Sequence, residues 1–207
     1  MIDNIINDVN KYYSEKILSF GATPKGVDWN GIESQEKRFQ QLLKVIEKEN
    51  DENYTLLDYG CGFGSLLSYL ETNNFTSIRY VGYDISDEML KKAKEEHDSH
   101  GTWVNTLNEN LKYDYVVASG LFNVKLNRNI SDWENYVINT LDKINSISSK
   151  GFAFNILTSY SDHEFLKDYL YYASPEYYFK HCKLNYSKQV SLLHDYDLYE
   201  FTIIIRK

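Results

Sequence analysis

Cysteine and proline are scarce in this chain of 207 residues, with two of each. The cysteines, Cys61 and Cys182, stand far apart with no metal-ligand spacing around them, which argues against a disulfide framework or a zinc cluster. No apolar run approaches the ~18 residues that a membrane-spanning helix needs. The opening M-I-D-N-I-I-N-D-V-N lacks the basic start and apolar run of a secretory signal, so a cytoplasmic protein without membrane insertion is expected. Positive charge is also short: 22 Lys and Arg face 30 Asp and Glu, a net charge of −8. Nucleic-acid binding draws on clustered cations, so no nucleic-acid partner is expected. No H/D/E cluster has metal spacing, and no metal is expected.

What the chain does have is tyrosine, 19 in all. Each ring offers a flat apolar face and a hydroxyl, suited either to sugar or aromatic pockets or to core edges that need a polar tip. Hydrophobic residues at 43% and charged residues at 25% are ordinary for one globular unit. Residues 2 to 20 carry Ile2, Ile5, Val9, Tyr12, Tyr13 and Ile17 at helical spacing. The loop G-A-T-P-K-G-V-D-W-N-G follows, holding Trp29. Asn30 and Glu33 then predict a capping box for a second helix, with Ile32, Phe39, Leu42, Leu43 and Ile46 on one face. The division expected is residues 1–50 as N-terminal helices with a lid loop and 51–207 as the main domain.

From there strands and helices alternate. Strands are expected at Y-T-L-L-D-Y-G, I-R-Y-V-G-Y-D, 102 to 104, Y-D-Y-V-V-A-S and G-F-A-F-N-I-L, with helices over 65 to 72 and 87 to 97. Ser131 with Glu134, and Ser161 with Glu164, predict two more capping boxes; Ser174-Pro175 predicts an N-cap followed by proline at the first helical position. The runs K-Q-V-S-L-L-H and Y-E-F-T-I-I-I-R are too close for a crossover helix, so they predict an antiparallel hairpin. Alternation of this kind implies a mostly parallel sheet covered on both faces.

The chemistry concentrates in L-L-D-Y-G-C-G-F-G. Glycines at 60, 62 and 64 let the backbone turn sharply and touch a ligand. Asp84, twenty residues past Gly64, ends the next strand, where a carboxylate can accept from both hydroxyls of a ribose. The G-x-G-x-x-G spacing of nicotinamide sites fails, because Ser65 stands where the third glycine belongs. Asp58, two residues before the first glycine, would crowd a pyrophosphate but can meet a cationic amino group.

In these motifs the sequence resembles the class I S-adenosylmethionine-dependent methyltransferases. The resemblance implies a Rossmann-like, doubly wound α/β fold: a seven-stranded, mostly parallel sheet ordered 3-2-1-4-5-7-6, the last strand antiparallel, with an N-terminal helical extension. It implies S-adenosylmethionine as cofactor and S-adenosylhomocysteine as product. Asp58 and Gly60 would hold the methionine end and Cys61, Gly62 and Gly64 the backbone wall. Asp84 would hold the ribose, Ile85 and Met89 the adenine face, and Trp103 and Val104 its edge. Ser119, Gly120 and Asn123 would lie beside the sulfonium, with Arg38 on the methionine carboxylate. For the acceptor side, Trp29, Asn123, Asn155 and Tyr160 are expected. His194, with Asp195 beside it, is the candidate base, set against the alternative of a hairpin-turn histidine satisfied by its neighbours. His97 and His100 are expected at an exposed helix end.

Methylases of nucleic-acid bases carry [D/N/S]-P-P-[Y/F] after the fourth strand; here the run is S-G-L-F. A G-A-T-P-x-G-V-D-W-N loop and a closing H-D-Y…E-F-T hairpin resemble small bacterial methyltransferases associated with surface-polysaccharide (capsule) biosynthesis. That resemblance implies O-methylation of a small polar acceptor: a sugar, a phosphoramidate or a nucleotide-activated precursor. The competing readings are an RNA or protein methyltransferase, and a protein that binds the cofactor or its product without catalysis. A monomer or homodimer is expected.

Overall fold

A computed structural model describes residues 2–27, 31–46, 53–97, 100–108 and 110–207. Helix α1 (Ile2–Phe20) and helix α2 (Ile32–Leu42) precede strand β1 (Tyr54–Tyr59). There follow α3 (Ser65–Thr72), β2 (Ile78–Tyr83), α4 (Asp87–His97), β3 (Thr102–Val104), β4 (Tyr113–Ala118), α5 (Ile130–Ile147) and β5 (Ser148–Leu157). The chain closes with α6 (Pro175–Asn185), β6 (Gln189–Leu193) and β7 (Glu200–Arg206).

The strands form one sheet in the order β3-β2-β1-β4-β5-β7-β6. Pairing is parallel from β3 through β5, while β7 runs antiparallel to both β5 and β6. The expected order and the antiparallel hairpin are therefore both present. The central strands read as continuous apolar runs because helices cover both faces. One hydrophobic cluster joins the sheet to α1, α5 and α6 through Ile5, Val9, Trp133, Val137 and Tyr178. The other joins it to α2 and α3 through Phe39, Leu42, Leu66 and Leu70. Helices α1 and α2 thus share the core of the sheet domain.

The local helix signals hold at α6, where the Ser174 hydroxyl accepts from the Tyr177 amide and Pro175 sits in the first turn. They mislead at two other helix starts. The cap of α5 is Asn129, whose side chain accepts from the Asp132 amide at 2.8 Å, so the helix begins before Ser131. The helix expected from Ser161 reduces to a single 3-10 turn at His163–Phe165, because no buried face follows to extend it. Helix α2 starts after Gly31, without a side-chain cap; Asn30 lies outside the described residues.

Trp133 anchors the α5 side. It is fully buried, and its indole N–H donates to the Phe122 carbonyl at 2.9 Å. Trp133→Ala would lose both that bond and the largest fully buried side chain, and should cost about 3–5 kcal/mol. Urea unfolding followed by circular dichroism would measure this loss.

Candidate active site

The parallel pairing of β1 with β2 extends past the strand ends. The amides of Gly60 and Cys61 both donate to the Tyr83 carbonyl, at 2.8 and 3.0 Å. Next, the Gly62 amide donates to Asp84 Oδ2 and the Ser86 amide to Asp84 Oδ1, each at 2.9 Å. The glycine turn is therefore clamped onto the end of β2. Gly60 adopts a left-handed backbone, and a Cβ there would come within 2.8 Å of Leu121. At Gly64, also left-handed, a Cβ would meet the Trp103 ring at 2.5 Å.

This turn forms one wall of a cavity of about 220 Å³. Asp58, Gly60, Cys61, Gly62, Asp84, Ile85, Met89 and Ser119 all line it, whereas Gly64, expected beside them, does not and packs against Trp103 and His97. Two walls were not expected. Helix α1 contributes Ile2, Ile6, Val9, Asn10 and Tyr13, and helix α5 contributes Tyr136, Asn139, Thr140 and Lys143. The α1 wall had a sequence signal: Ile2, Ile6, Val9 and Tyr13 make a second stripe beside Ile5, Val9 and Ile17. One helix thus faces both core and cavity. It is tied down at Ser14, whose hydroxyl lies 2.8 Å from that of Ser86 and 3.0 Å from Glu88 Oε2.

The electrostatics are unusual for paired carboxyls. Asp58 is buried and accepts from the Tyr80 hydroxyl at 2.8 Å. Burial pushes its carboxyl up to about 7; the Tyr80 bond opposes that rise and the nearby Asp84 adds to it. Asp84 is also raised by burial, against the pull of the Ser86 and Gly62 amides. Ser119 Oγ, also in the cavity lining, is buried and has no hydrogen-bond partner among the described residues. Glycine backbone, two acids and one orphaned hydroxyl suit a compact polar ligand that carries an ammonium group and a diol.

A second, larger cavity of about 1100 Å³ opens beside the first. Tyr13, Val27 and Gly120 line both. Asn123 and Arg38 line this second space, not the first. Arg38 was expected on the methionine carboxylate; its guanidinium instead forms a buried ion pair with Glu200. Residues along the 157–172 segment, Glu164 among them, and residues 197–199 contribute further walls.

Other expectations fail on position. Trp103 lies in neither of these cavities; it packs edge-on against Tyr80 and lines a separate groove beside α4 with Val104. It also explains Gly82, where a Cβ would meet the Trp103 ring at 2.6 Å and the Cys61 sulfur at 2.9 Å. His97, expected to be exposed, is buried against Trp103, and burial lowers its pKa. His194 and Asp195 are exposed and line neither cavity; the His194 ring lies near Tyr160 and Phe201. Tyr160 is likewise exposed and bonds to Glu176. Asn155 is fully buried and spends its amide on Gly120 and Glu200. Trp29 lies outside the described residues. Among the described residues no group of three or more His, Cys, Asp or Glu is placed to hold a metal, and no helix is long and apolar enough to cross a membrane.

Comparison with known proteins decides the family. The family profile of a methyltransferase domain matches residues 32–204, most of the chain. The chain belongs to the class I S-adenosylmethionine-dependent methyltransferases. A Mycobacterium tuberculosis protein provisionally named a methyltransferase, Rv1506c, is 45% identical over 156 residues, covering 74% of this chain and 93% of its own. The fold matches that of DhpI in its complex with S-adenosylhomocysteine, with a TM-score of 0.65 at 16% identity over 98% of this chain and 96% of the other. It also matches the plantazolicin methyltransferase BpumL, solved with the same product, with a TM-score of 0.57 at 14% identity over 100% and 99% of the two chains. This methyltransferase uses S-adenosylmethionine as its cofactor.

The raised carboxyl of Asp58 has a consequence for stability. Between about pH 4 and pH 7 the folded protein keeps a proton that the unfolded chain releases, so this group lowers stability progressively as pH rises through that window. Asp58→Asn retains an acceptor for Tyr80 and removes the titration. Its unfolding free energy should fall less steeply from pH 4 to pH 7 than that of the parent, as measured by denaturant midpoints of the unliganded proteins.

Proposed function

We propose that this methyltransferase transfers a methyl group to an oxygen of a small polar acceptor, with the cofactor in the smaller cavity and the acceptor in the larger. The observation that carries this reading is the meeting of the two spaces at Tyr13, Val27 and Gly120. When bound, S-adenosylmethionine would supply a methyl group on a positively charged sulfur, an electrophilic carbon whose bond to sulfur breaks as an acceptor oxygen lone pair bonds to it. The residues of the chain hold and orient. Asp58 and Gly60 face the methionine end, where an ammonium group would favour the ionised carboxylate. Each Asp84 oxygen has acceptor capacity beyond its backbone amide, which serves the ribose hydroxyls. Ile85 and Met89 cover the adenine, Cys61 and Gly62 form the backbone wall, and Ser119 donates to the ligand side. Helix α1 closes the space and excludes water, a cover for which the sequence had suggested the loop holding Trp29.

Alignment of the acceptor oxygen with the methyl group supplies most of the acceleration. His194 stands outside both cavities, so we assign proton removal to Glu164, a carboxylate that lines the acceptor space. Tyr169, Tyr172 and Tyr199 give that space flat faces with hydroxyl tips, while Lys16, Lys167 and Arg38 bring positive charge. These walls support a sugar, phosphoramidate or nucleotide-activated precursor, in line with the surface-polysaccharide resemblance of the terminal motifs. The reading places the enzyme in the cytoplasm, as a monomer or homodimer.

Calorimetry with S-adenosylhomocysteine tests the cofactor half. The parent should bind, and Asp84→Ala should bind at least about tenfold more weakly, because a buried diol loses its paired acceptor. Equal affinity would show the ribose to be elsewhere. Screening nucleotide-linked sugars for methyl uptake tests the acceptor half, with Glu164→Gln expected to lower turnover at neutral pH while leaving product affinity unchanged.

A further inference from the structure

Gly120 belongs to both cavities, and its backbone is left-handed with φ of 66°. Glycine adopts that backbone freely, so what fixes the turn is its hydrogen bonding, which comes from deep in the sheet. The Gly120 amide donates to Asn155 Oδ1 at 2.7 Å. Asn155 Nδ2 in turn donates to Glu200 Oε2 at 3.0 Å, and Glu200 Oε1 pairs with the Arg38 guanidinium. Asn155 and Glu200 are both 0% exposed. Arg38 returns to the surface of the larger cavity.

The direction of every bond in this chain is fixed. A backbone amide can only donate, so the Asn155 oxygen must face Gly120 and its NH₂ must face Glu200. Glu200 must then accept on both oxygens, from Asn155 and from Arg38, which the carboxylate form does. Burial works against that form and pushes the Glu200 carboxyl up to about 7, while Arg38 and Asn155 oppose the rise. Beyond Gly120, Leu121 packs over the position where Gly60 has no Cβ, so a shift of this turn also reaches the glycine wall.

We propose that Asn155 and Glu200 are positioning residues that set the Ser119–Gly120 wall of the cofactor cavity, joining it through Arg38 to the acceptor cavity. They act without touching cofactor or acceptor, since neither lines either of these two cavities. The inference rests on the cofactor occupying the smaller cavity, and deepens that reading by naming what holds the wall between donor and acceptor.

A polarity-reversed pair tests it. In Asn155→Asp alone two carboxyls face each other. In Glu200→Gln alone the introduced NH₂ must point at another donor, either Asn155 or Arg38. The double variant, Asn155→Asp with Glu200→Gln, restores the pattern. Its new carboxylate at position 155 accepts from the Gly120 amide and from the new NH₂ at position 200, whose amide oxygen accepts from Arg38. The same hydrogen bonds and the same net charge return, with the acid moved one link along. S-adenosylhomocysteine affinity by calorimetry is the readout, with melting temperature recorded for each variant. Each single variant should bind about tenfold more weakly, and the double should return to within about threefold of the parent. Affinity unchanged in folded single variants would overturn the proposal, since a merely structural role lowers the melting temperature and leaves affinity alone. A double variant that fails to fold, or folds and still binds about tenfold weakly, would overturn it as well. If the single variants do not fold, the double variant alone decides. A parent protein that does not bind the product would instead refute the placement of the cofactor, a distinguishable failure.

Discussion

The site depends on one constraint: the first two strands stay paired after they have ended. Two turn amides share the Tyr83 carbonyl, and the next amide reaches the Asp84 carboxylate. That arrangement makes Asp84 serve two purposes with one side chain. It closes the turn sterically and electrostatically, and it leaves acceptor capacity directed at the cavity. Were the turn free to swing, neither the glycine backbone nor the acid would be preorganised for a ligand, and ordering them on binding would cost conformational entropy.

Around this clamp the two sheet faces take different duties. The face with α2 and α3 is a packed apolar layer, and it carries the buried Arg38–Glu200 pair at its edge. The opposite face uses α5 as its main cover and leaves α1 to roof the cavity. A helix that roofs a binding site must bury one stripe and offer another. Hence α1 is held partly by polar contacts at Ser14 and not by apolar packing alone. The charge pattern follows the same division. The acids Asp58 and Asp84 are kept near one another at a carbon-rich site, at an energetic cost that a cationic ligand would offset.

Most of the fold was legible in the sequence, because strand runs, glycine turns and spacing all report backbone demands that few residue types meet. The sheet order came from a resemblance, and the hairpin from the short gap between the last two apolar runs. Within the site, residues adjacent in sequence to the glycine turn and to Asp84 line the cavity as expected, since their position follows from the strand ends. Residues contributed from a distance were not legible. Helix α5 supplies Asn139 and Lys143 through tertiary packing that leaves no local trace. His194 looked well placed at a strand end, yet β6 is the edge strand on the far side of β5 and β7 from the glycine turn. Asn155 and Glu200 have the polarity of ligand contacts, but they face one another inside the sheet, a distinction invisible without pairing register: Asn155 lies opposite Thr202 and Leu157 opposite Glu200. The Ser161 start failed because the Ser161 hydroxyl donates back to the Thr158 carbonyl and the turn that follows buries no side chain.

Gly82 differs from the turn glycines. Its backbone does not require glycine, and its lack of a side chain answers only to the Trp103 ring and the Cys61 thiol. Residues 61, 82 and 103 therefore divide a single fixed volume among three separate stretches of chain. A lineage that shrinks both residue 103 and residue 61 releases position 82 to grow, while one that keeps the tryptophan holds the glycine in place. Divergence at these three positions should be concerted, and because Cys61 also lines the smaller cavity, a change of packing around Trp103 reaches the binding wall through a shared volume.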